Sequence, residues 1–317
     1  MSATFLEAVA ARSSSAAIST VTTPGIRLKN ESVEEAALRG MRESATFSYR
    51  GISVRYAELP DAEQNLLFGN VLWPCAETLA KLLIDQTRGG AKIWTESAAI
   101  QLGMPLEMLL SRRFGVNIQA PSSPTALDWL GVETIIPDVS AGGGASILEV
   151  GAGVGLTGLA CHALGAASVL LTDGEERLIN ALRARHVGCP DSLRFAHLDW
   201  HADTSAEQEE RFDLILGAEV LHPACGGEVH VPSVIARKLA RTAGARAMLL
   251  SEVRSIQTCY TAVHALAMHG LRVAAFQIVG REGFQVRLDA LPEIGAQLLL
   301  VATWAPQPAA EGDPPRS

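Results

Sequence analysis

The residues with the clearest chemical pattern surround a glycine-rich loop, ILEVGAGVGLTGL at positions 147–159. Its glycines are Gly151, Gly153 and Gly155. The loop lies between a short apolar run and a helical pattern, where backbone N–H groups and a helix N-terminus can closely approach a ligand. A dinucleotide-binding loop, G-x-G-x-x-G, would need glycine where this chain has Leu156. The spacing G-x-G-x-G therefore points to another nucleoside cofactor.

An acidic residue, Glu149, precedes the first glycine by two positions. A carboxylate there repels a pyrophosphate but suits the ammonium and sulfonium groups of S-adenosylmethionine, either directly or by holding the loop. A strand-end glutamate that only caps the following helix is the alternative interpretation. The acid favours S-adenosylmethionine as the cofactor.

Further polar residues follow the next apolar runs in chain order. Asp173 is predicted to accept hydrogen bonds from both ribose hydroxyls. The alternative interpretation is a turn residue before Gly174. Asp199 offers an acceptor for the adenine amino group, and Trp200 an indole to cover its face. Open α/β sheets bind ligands at the carboxyl ends of their strands, so these residues are expected to meet at one edge.

The elements that must position these residues alternate between strands and helices. Seven apolar runs are predicted as strands: 146–150, 168–172, 193–197, 212–217, 245–252, 271–277 and 298–303. Four helices are predicted between them, at 157–164, 175–186, 231–243 and 256–269. This alternation predicts an α/β fold, a Rossmann-like sheet with helices on both faces. Residues 279–297 show no helical pattern, so a hairpin-like return is expected to make the last strand antiparallel.

The rest of the chain adds segments around this domain. The sequence predicts a flexible N-terminus (1–45), a hairpin and helix packed on the catalytic domain (46–88), an inserted helical segment (89–144), the sheet domain (145–304) and a disordered tail (305–317). Within the second segment, 46–59 alternates as a hairpin and 75–85 is helical; within the third, 96–114 is helical.

Composition narrows the possible partners and compartment. A net charge of −8 and few lysines argue against nucleic acid as the main ligand. No apolar run approaches the ~20 residues of a membrane span. Five scattered cysteines indicate a reducing compartment, and we expect a cytoplasmic monomer, with the nucleus as an alternative. The Ser/Thr/Ala-rich start is only weakly similar to a transit peptide.

Taken together, the chain resembles the seven-strand S-adenosylmethionine-dependent methyltransferases, and more narrowly the family sixteen protein-lysine methyltransferases. The resemblance rests on V-L-W-P at 71–74, the glycine loop, L-D-W at 198–200 and F-D-L-I-L-G-A at 212–218. It implies methyl transfer to a lysine side chain of a protein substrate. The implied cofactor-binding residues are Trp73, Glu149, Gly151, Ala152, Gly153, Gly155, Asp173, Asp199, Trp200 and Ala218.

The chain departs from the family after the fourth strand. The family motif there is D-x-x-Y or D-x-x-F, whereas this chain has Glu-Val-Leu-His at 219–222. We expect Glu219 to orient the incoming amine and His222 to help take its proton, as the two catalytic residues. The change leaves the target residue and the number of methyl groups open, and the 89–144 insertion is a second departure.

Other functions have weaker support in the sequence. His222, Cys225 and His230 have metal-ligand spacing, but no second cluster accompanies them, so no metal is expected. No G-x-S-x-G elbow supports hydrolase chemistry. A methyltransferase acting on a small-molecule amine or hydroxyl, and a non-catalytic binding module with the same fold, remain as alternatives.

Overall fold

The described residues are built around a mixed eight-stranded sheet. The computed structural model describes residues 45–56, 71–88, 126–202, 210–279, 285–287 and 292–305. All of these residues belong to one unit of the chain.

The strands of the sheet follow the predicted runs closely. They are β3 (Ser146–Val150), β4 (Ser168–Asp173), β5 (Leu193–His197), β6 (Leu214–Ala218), β7 (Arg246–Glu252), β8 (Leu271–Val279), β9 (Gln285–Arg287) and β10 (Gln297–Trp304). Their order across the sheet is β5-β4-β3-β6-β7-β10-β8-β9. The strands from β5 to β7 pair in parallel, whereas β10 is antiparallel to both β7 and β8. The predicted α/β sheet with an antiparallel last strand is therefore confirmed.

Two antiparallel strands form the predicted N-terminal hairpin, β1 (Ala45–Tyr49) and β2 (Ile52–Tyr56). They are joined by Arg50 and Gly51, whose φ angles are 44° and 79°. Positive φ at both central residues is what the tightest hairpin turns require, since that twist matches the twist of the strands. Phe47 and Val54 pair across the hairpin and point into the core.

Among the residues that the structure describes, six α-helices accompany the strands. They are α1 (Pro74–Thr87), α2 (Ala126–Leu130), α3 (Leu156–Leu164), α4 (Glu176–Arg185), α5 (Gly227–Lys238) and α6 (Ile256–Met268). Local chemistry explains several of their starts. Pro74 begins α1, where a missing N–H costs nothing, and the Ser255 hydroxyl accepts a hydrogen bond from Gln257 N–H to cap α6.

The core lies in two layers, one on each face of the sheet. On one face, buried residues of the hairpin, α1 and α3 pack against alternate positions of the strands, among them Leu79, Leu83 and Leu159. On the other face, α5 and α6 contribute Val234, Leu266 and their neighbours. Helices therefore cover both faces, which leaves the carboxyl ends of the parallel strands as the open edge.

Three predicted boundaries are wrong, and one bridge between residues explains two of them, the end of a helix and the start of a strand. The helix predicted at 231–243 begins at Gly227 and ends at Lys238. It ends there because Leu239 is extended and bridges Phe212, with Phe212 N–H donating to the Lys238 carbonyl. The same bridge places Phe212 before β6 rather than inside it, so the strand predicted at 212–217 begins at Leu214.

The region predicted as a hairpin-like return contains one additional strand. Strand β9 pairs antiparallel with the end of β8 and lies at the edge of the sheet. The three residues of β9 were not predicted, since so short a segment shows no clear alternation.

Several predicted segments lie outside the described residues. These include the helix predicted at 96–114 and nearly all of the predicted flexible N-terminus and disordered tail. The last part of the predicted insertion is described, and Ile135, Ile136 and Val139 are buried in the core. Within the described parts of the chain, no helix has the length and apolar character needed to cross a membrane.

Candidate active site

A cavity of about 370 Å³ opens at the carboxyl edge of the sheet, beside the point where β3 and β6 lie next to each other. The chain leaves β3 toward β4 on one side and reaches β6 on the other, so this is the topological switch point of the sheet. Almost every residue predicted for the site lines this cavity: Trp73, Glu149, Gly151, Ala152, Gly153, Asp173, Asp199, Trp200, Ala218, Glu219 and His222.

Gly155 is the predicted site residue that does not line the cavity. It precedes α3 with a φ of 78°, and its N–H donates to the Ala152 carbonyl at 2.7 Å. Gly155 therefore shapes the turn that leads into the helix, since a side chain is strained at this φ.

Side chains from two other loops crowd the glycine loop at Gly151, so a side chain at this position would not fit. A Cβ on Gly151 would lie 2.8 Å from Val220 Cγ1 and 3.1 Å from Trp200, and its φ of 62° also disfavours a side chain. Val220 follows β6 and Trp200 follows β5, so three strand ends converge here. Only glycine fits at this position without moving its neighbours.

Glu149 lines the cavity and is hydrogen-bonded to the helix that follows the glycine loop. Its Oε2 accepts a hydrogen bond from Gly158 N–H at 2.9 Å, which connects the end of β3 to the first turn of α3. The side chain is 2% exposed, and burial raises the pKa of this carboxyl to about 8, against the lowering effect of the Gly158 hydrogen bond. Burial disfavours the ionised form of this carboxyl, and a cationic ligand beside it would stabilise that form.

Asp173 orients the same loop from the end of β4. Its Oδ2 accepts from Gly153 N–H and its Oδ1 from Glu175 N–H, both at 2.9 Å. Burial raises the pKa of this carboxyl, and the two backbone hydrogen bonds oppose that rise. Each oxygen keeps a further lone pair, so the carboxylate can also accept from two hydroxyls.

The end of β5 provides a more open part of the cavity. Asp199 is exposed, and its Oδ1 accepts from His201 N–H at 2.9 Å, which lowers the pKa of the carboxyl. Trp200 packs its ring against Gly151 and against the core layer that contains α5 and α6. Both side chains line the same cavity as Asp173, and their predicted role in binding adenine stays a prediction.

Glu219 also lines the cavity and has a strained backbone conformation. Its φ is 59°, which is uncommon for a residue other than glycine. Its Oε1 accepts from Glu252 N–H at 3.0 Å, and its Oε2 forms an ion pair with Arg254 Nη1 at 2.5 Å. The strain places the carboxylate between the ends of β6 and β7, inside the cavity wall.

Arg254 was not predicted as a site residue. It lies in the short loop between β7 and α6, and its guanidinium carbon is 5.7 Å from the centre of the Trp73 ring. A signal was present, because Arg254 follows the carboxyl end of the strand after β6. The pairing with Glu219 depends on sheet order, which the sequence shows only indirectly.

His222 has a structural role that limits its chemistry. Its Nδ1 accepts from Ala224 N–H at 3.1 Å and so begins the turn at Pro223–Cys225. Because this nitrogen acts as an acceptor, a neutral His222 carries its proton on Nε2. The imidazole thus holds the turn and also lines the cavity, and its role in taking a substrate proton stays a prediction.

The alternative metal ligands are also engaged elsewhere. Cys225 Sγ donates to the His222 carbonyl, and the His230 ring packs on His201 with centroids 4.2 Å apart. Within the described residues, no group of three or more His, Cys, Asp or Glu side chains is arranged to hold a metal ion.

A comparison with protein-family models identifies the family of the chain. The lysine methyltransferase family model matches residues 60–225, which is 166 of the 317 residues of the chain. The chain belongs to the lysine methyltransferase family. The predicted family is thus confirmed, and the match includes the glycine loop and the 219–222 motif.

Comparison with solved structures finds methyltransferases of low overall similarity. A TehB-like S-adenosylmethionine-dependent methyltransferase from Corynebacterium glutamicum is 25% identical, covers 53% of this chain and 84% of its own, and has a TM-score of 0.38. The ribosomal protein L11 methylase from Lactobacillus delbrueckii subsp. bulgaricus is 15% identical, covers 52% and 73%, and has a TM-score of 0.37. No curated protein sequence matches the chain.

The site fits S-adenosylmethionine, the cofactor of the family to which the chain belongs. Glu149 suits its cationic part, Asp173 its ribose hydroxyls, and the glycine loop allows close backbone approach. By its family and by the chemistry of its cavity, the protein is therefore an S-adenosylmethionine-dependent methyltransferase.

Proposed function

We propose that this enzyme transfers a methyl group to the side-chain amine of a lysine in another protein. The observation that carries the proposal is the position of Glu219, a carboxylate in the wall of the same cavity as the glycine loop and Asp173. We assign Asp173 to the ribose hydroxyls and Glu219 to the acceptor amine.

The residues of the chain would then divide into two groups. Glu149, Asp173, Asp199, Trp200, Ala218 and the loop at 151–155 would hold the cofactor. Glu219 and Trp73 would recognise the amine, since a carboxylate and an indole face both attract an alkylammonium. When bound, S-adenosylmethionine supplies an electrophilic methyl group on a positively charged sulfur, which a neutral amine can attack.

The amine must lose a proton before transfer, because an ammonium nitrogen has no lone pair. We assign the proton to solvent at the cavity mouth, since His222 Nδ1 is committed to Ala224 N–H. His222 then serves as a polar wall beside Glu219, and it fixes the turn that follows.

A cytoplasmic location and a lysine-bearing protein partner complete the proposal. All five cysteines are free thiols in the structure, which agrees with a reducing compartment. The acidic net charge of −8 suits a basic partner.

The proposal can be tested by incubating the purified protein with methyl-labelled S-adenosylmethionine and a lysate of host cells. Label on a discrete protein band, located at lysine by mass spectrometry, is the expected result. Label in the small-molecule fraction alone would instead support a small-molecule methyltransferase. Cofactor binding without any transfer would support a binding module.

A further inference from the structure

Arg254 already makes the two contacts that the acceptor end of the cavity offers to a cation. Its Nη1 donates to Glu219 Oε2 at 2.5 Å, and its guanidinium lies 5.7 Å from the centre of the Trp73 ring. Both Arg254 and its two partners line the cavity. An arginine of the chain itself therefore stands where a lysine ammonium would be recognised.

We infer that Arg254 is a specificity-determining residue that competes with the substrate amine for Glu219 and Trp73. The inference rests on the proposed function, because it assigns these two residues to amine recognition. Transfer then requires an exchange of cations: the lysine amine takes over the carboxylate, and the guanidinium withdraws.

The two partners differ in their freedom to move, and this sets the direction of the exchange. The Glu219 side chain is 7% exposed and is also held by Glu252 N–H. The Arg254 side chain is 32% exposed and extends from a loop only a few residues long between β7 and α6. The carboxylate is therefore the fixed group, and the guanidinium is the group that can leave.

A displaced guanidinium has a second carboxylate within reach of its own loop. Glu252 is exposed and ends β7 two residues before Arg254. A contact with Glu252 would limit the cost of leaving Glu219, since a partly buried charge without a partner is strongly unfavourable. The exchange can thus proceed without exposing an unpaired buried charge.

The competition would discriminate between kinds of amine. A free small amine must break the Arg254–Glu219 pair with the energy of its own few contacts. A lysine in a protein can draw on contacts made elsewhere along the surface of that protein. Arg254 would therefore favour protein-bound lysines and exclude small metabolite amines.

The direct test measures the binding of n-butylammonium, a probe for the lysine side chain, to the purified full-length protein by calorimetry. We expect Arg254→Gln to bind the probe at least about tenfold more tightly than the unmodified protein, because the internal competitor is gone. Arg254→Lys should bind it as weakly as the unmodified protein, since a cation remains in place. The double variant Glu219→Gln/Arg254→Gln should lose the gain.

Two outcomes would overturn the inference: equal probe affinity in Arg254→Gln and the unmodified protein, or a gain that persists without the Glu219 carboxylate. Arg254→Met provides a second neutral variant should the glutamine variant melt at a lower temperature. Lysate labelling fails or succeeds separately from this assay. A protein that labels no lysine contradicts the proposed function, whereas unchanged probe binding contradicts only the role of Arg254.

Discussion

At the scale of single residues, two glutamates in one cavity have different partners and different tasks. Glu149 is buried and accepts a hydrogen bond from Gly158 N–H, whereas Glu219 is paired with Arg254; we propose that the first serves the cofactor and the second the acceptor amine. The sequence predicted both positions because Glu149 lies near the end of one predicted strand and Glu219 follows another. It could not predict the ion pair, which requires β6 and β7 to be neighbours.

Removal of the Asp173 carboxylate should weaken cofactor binding. Asp173→Ala leaves Gly153 N–H and the ribose hydroxyls without an acceptor. We expect a loss of at least about tenfold in affinity, on the order of 1 to 3 kcal/mol, by calorimetry with S-adenosylmethionine. Asp191→Ala removes an exposed carboxylate elsewhere and should leave the affinity unchanged. Equal affinities for the two variants would remove Asp173 from the site.

Cofactor affinity should rise with pH up to about 8 through Glu149. Burial raises the pKa of its carboxyl to about 8, so below that pH the empty site holds a proton that a cationic ligand must expel. The affinity should therefore increase between pH 6 and 8, by at most about tenfold per pH unit. A slope that survives in Glu149→Gln would show that another group is responsible.

The same shift has a consequence for stability, with its own sign. The folded state keeps the Glu149 proton between pH 4.5, the ordinary value, and about 8, while the unfolded chain has lost it. This group therefore favours the unfolded state increasingly as pH rises through that window. The unfolding free energy of the unmodified protein, measured by urea denaturation, should therefore fall relative to that of Glu149→Gln as the pH rises from 4.5 to about 8.

At the scale of elements, the strands were predicted more accurately than the helix ends. Apolar runs such as that of β3 are typical of buried parallel strands, so their positions appear directly in the sequence. The predicted end of α5 was wrong because Leu239 leaves the helix and bridges Phe212. These two residues are far apart in the chain. Tertiary pairing of this kind overrides the local helical pattern.

The packing of α3 against β3 should not tolerate a larger residue at Gly158. A Cβ there would lie 2.7 Å from Glu149 Oε2 and 2.9 Å from Leu171 Cδ2. The steric cost, roughly 1 to 3 kcal/mol, should exceed the gain of up to ~1 kcal/mol that alanine gives in a helix. We therefore expect Gly158→Ala to lower both the melting temperature and the cofactor affinity.

Ala163→Gly is the matched control for this prediction. It weakens the same helix at an exposed position, at a cost of about 1 kcal/mol, without approaching Glu149. It should lower the melting temperature and leave cofactor affinity unchanged. If both variants affect affinity equally, helix stability rather than the contact with Glu149 controls the site.

At the scale of the whole molecule, one buried arginine connects the end of the inserted segment to the sheet. Arg246 is 6% exposed and donates to the carbonyls of Thr134, Ile135 and Gly244. Burial lowers the pKa of this guanidinium to about 10. The sequence predicted the insertion but not this anchor, because hydrogen bonds to backbone carbonyls leave no pattern in residue types.

Loss of this anchor should destabilise the fold as a whole. Arg246→Ala leaves buried carbonyls without donors, and we expect a loss of about 2 to 4 kcal/mol in unfolding free energy by chemical denaturation. Arg194→Ala breaks an exposed ion pair with Glu210 and should cost less than about 1 kcal/mol. Equal effects would mean that Arg246 contributes no more than a surface charge.

The most direct test of lysine methylation combines chemical identification of the product with a variant of the acceptor site. Protein labelled from methyl-labelled S-adenosylmethionine is hydrolysed, and the labelled amino acid is identified by chromatography. The account predicts methylated lysine for the unmodified enzyme, and at least about a hundredfold less for Glu219→Gln, which should still bind the cofactor. Label recovered in any other compound, or undiminished label with Glu219→Gln, would contradict it.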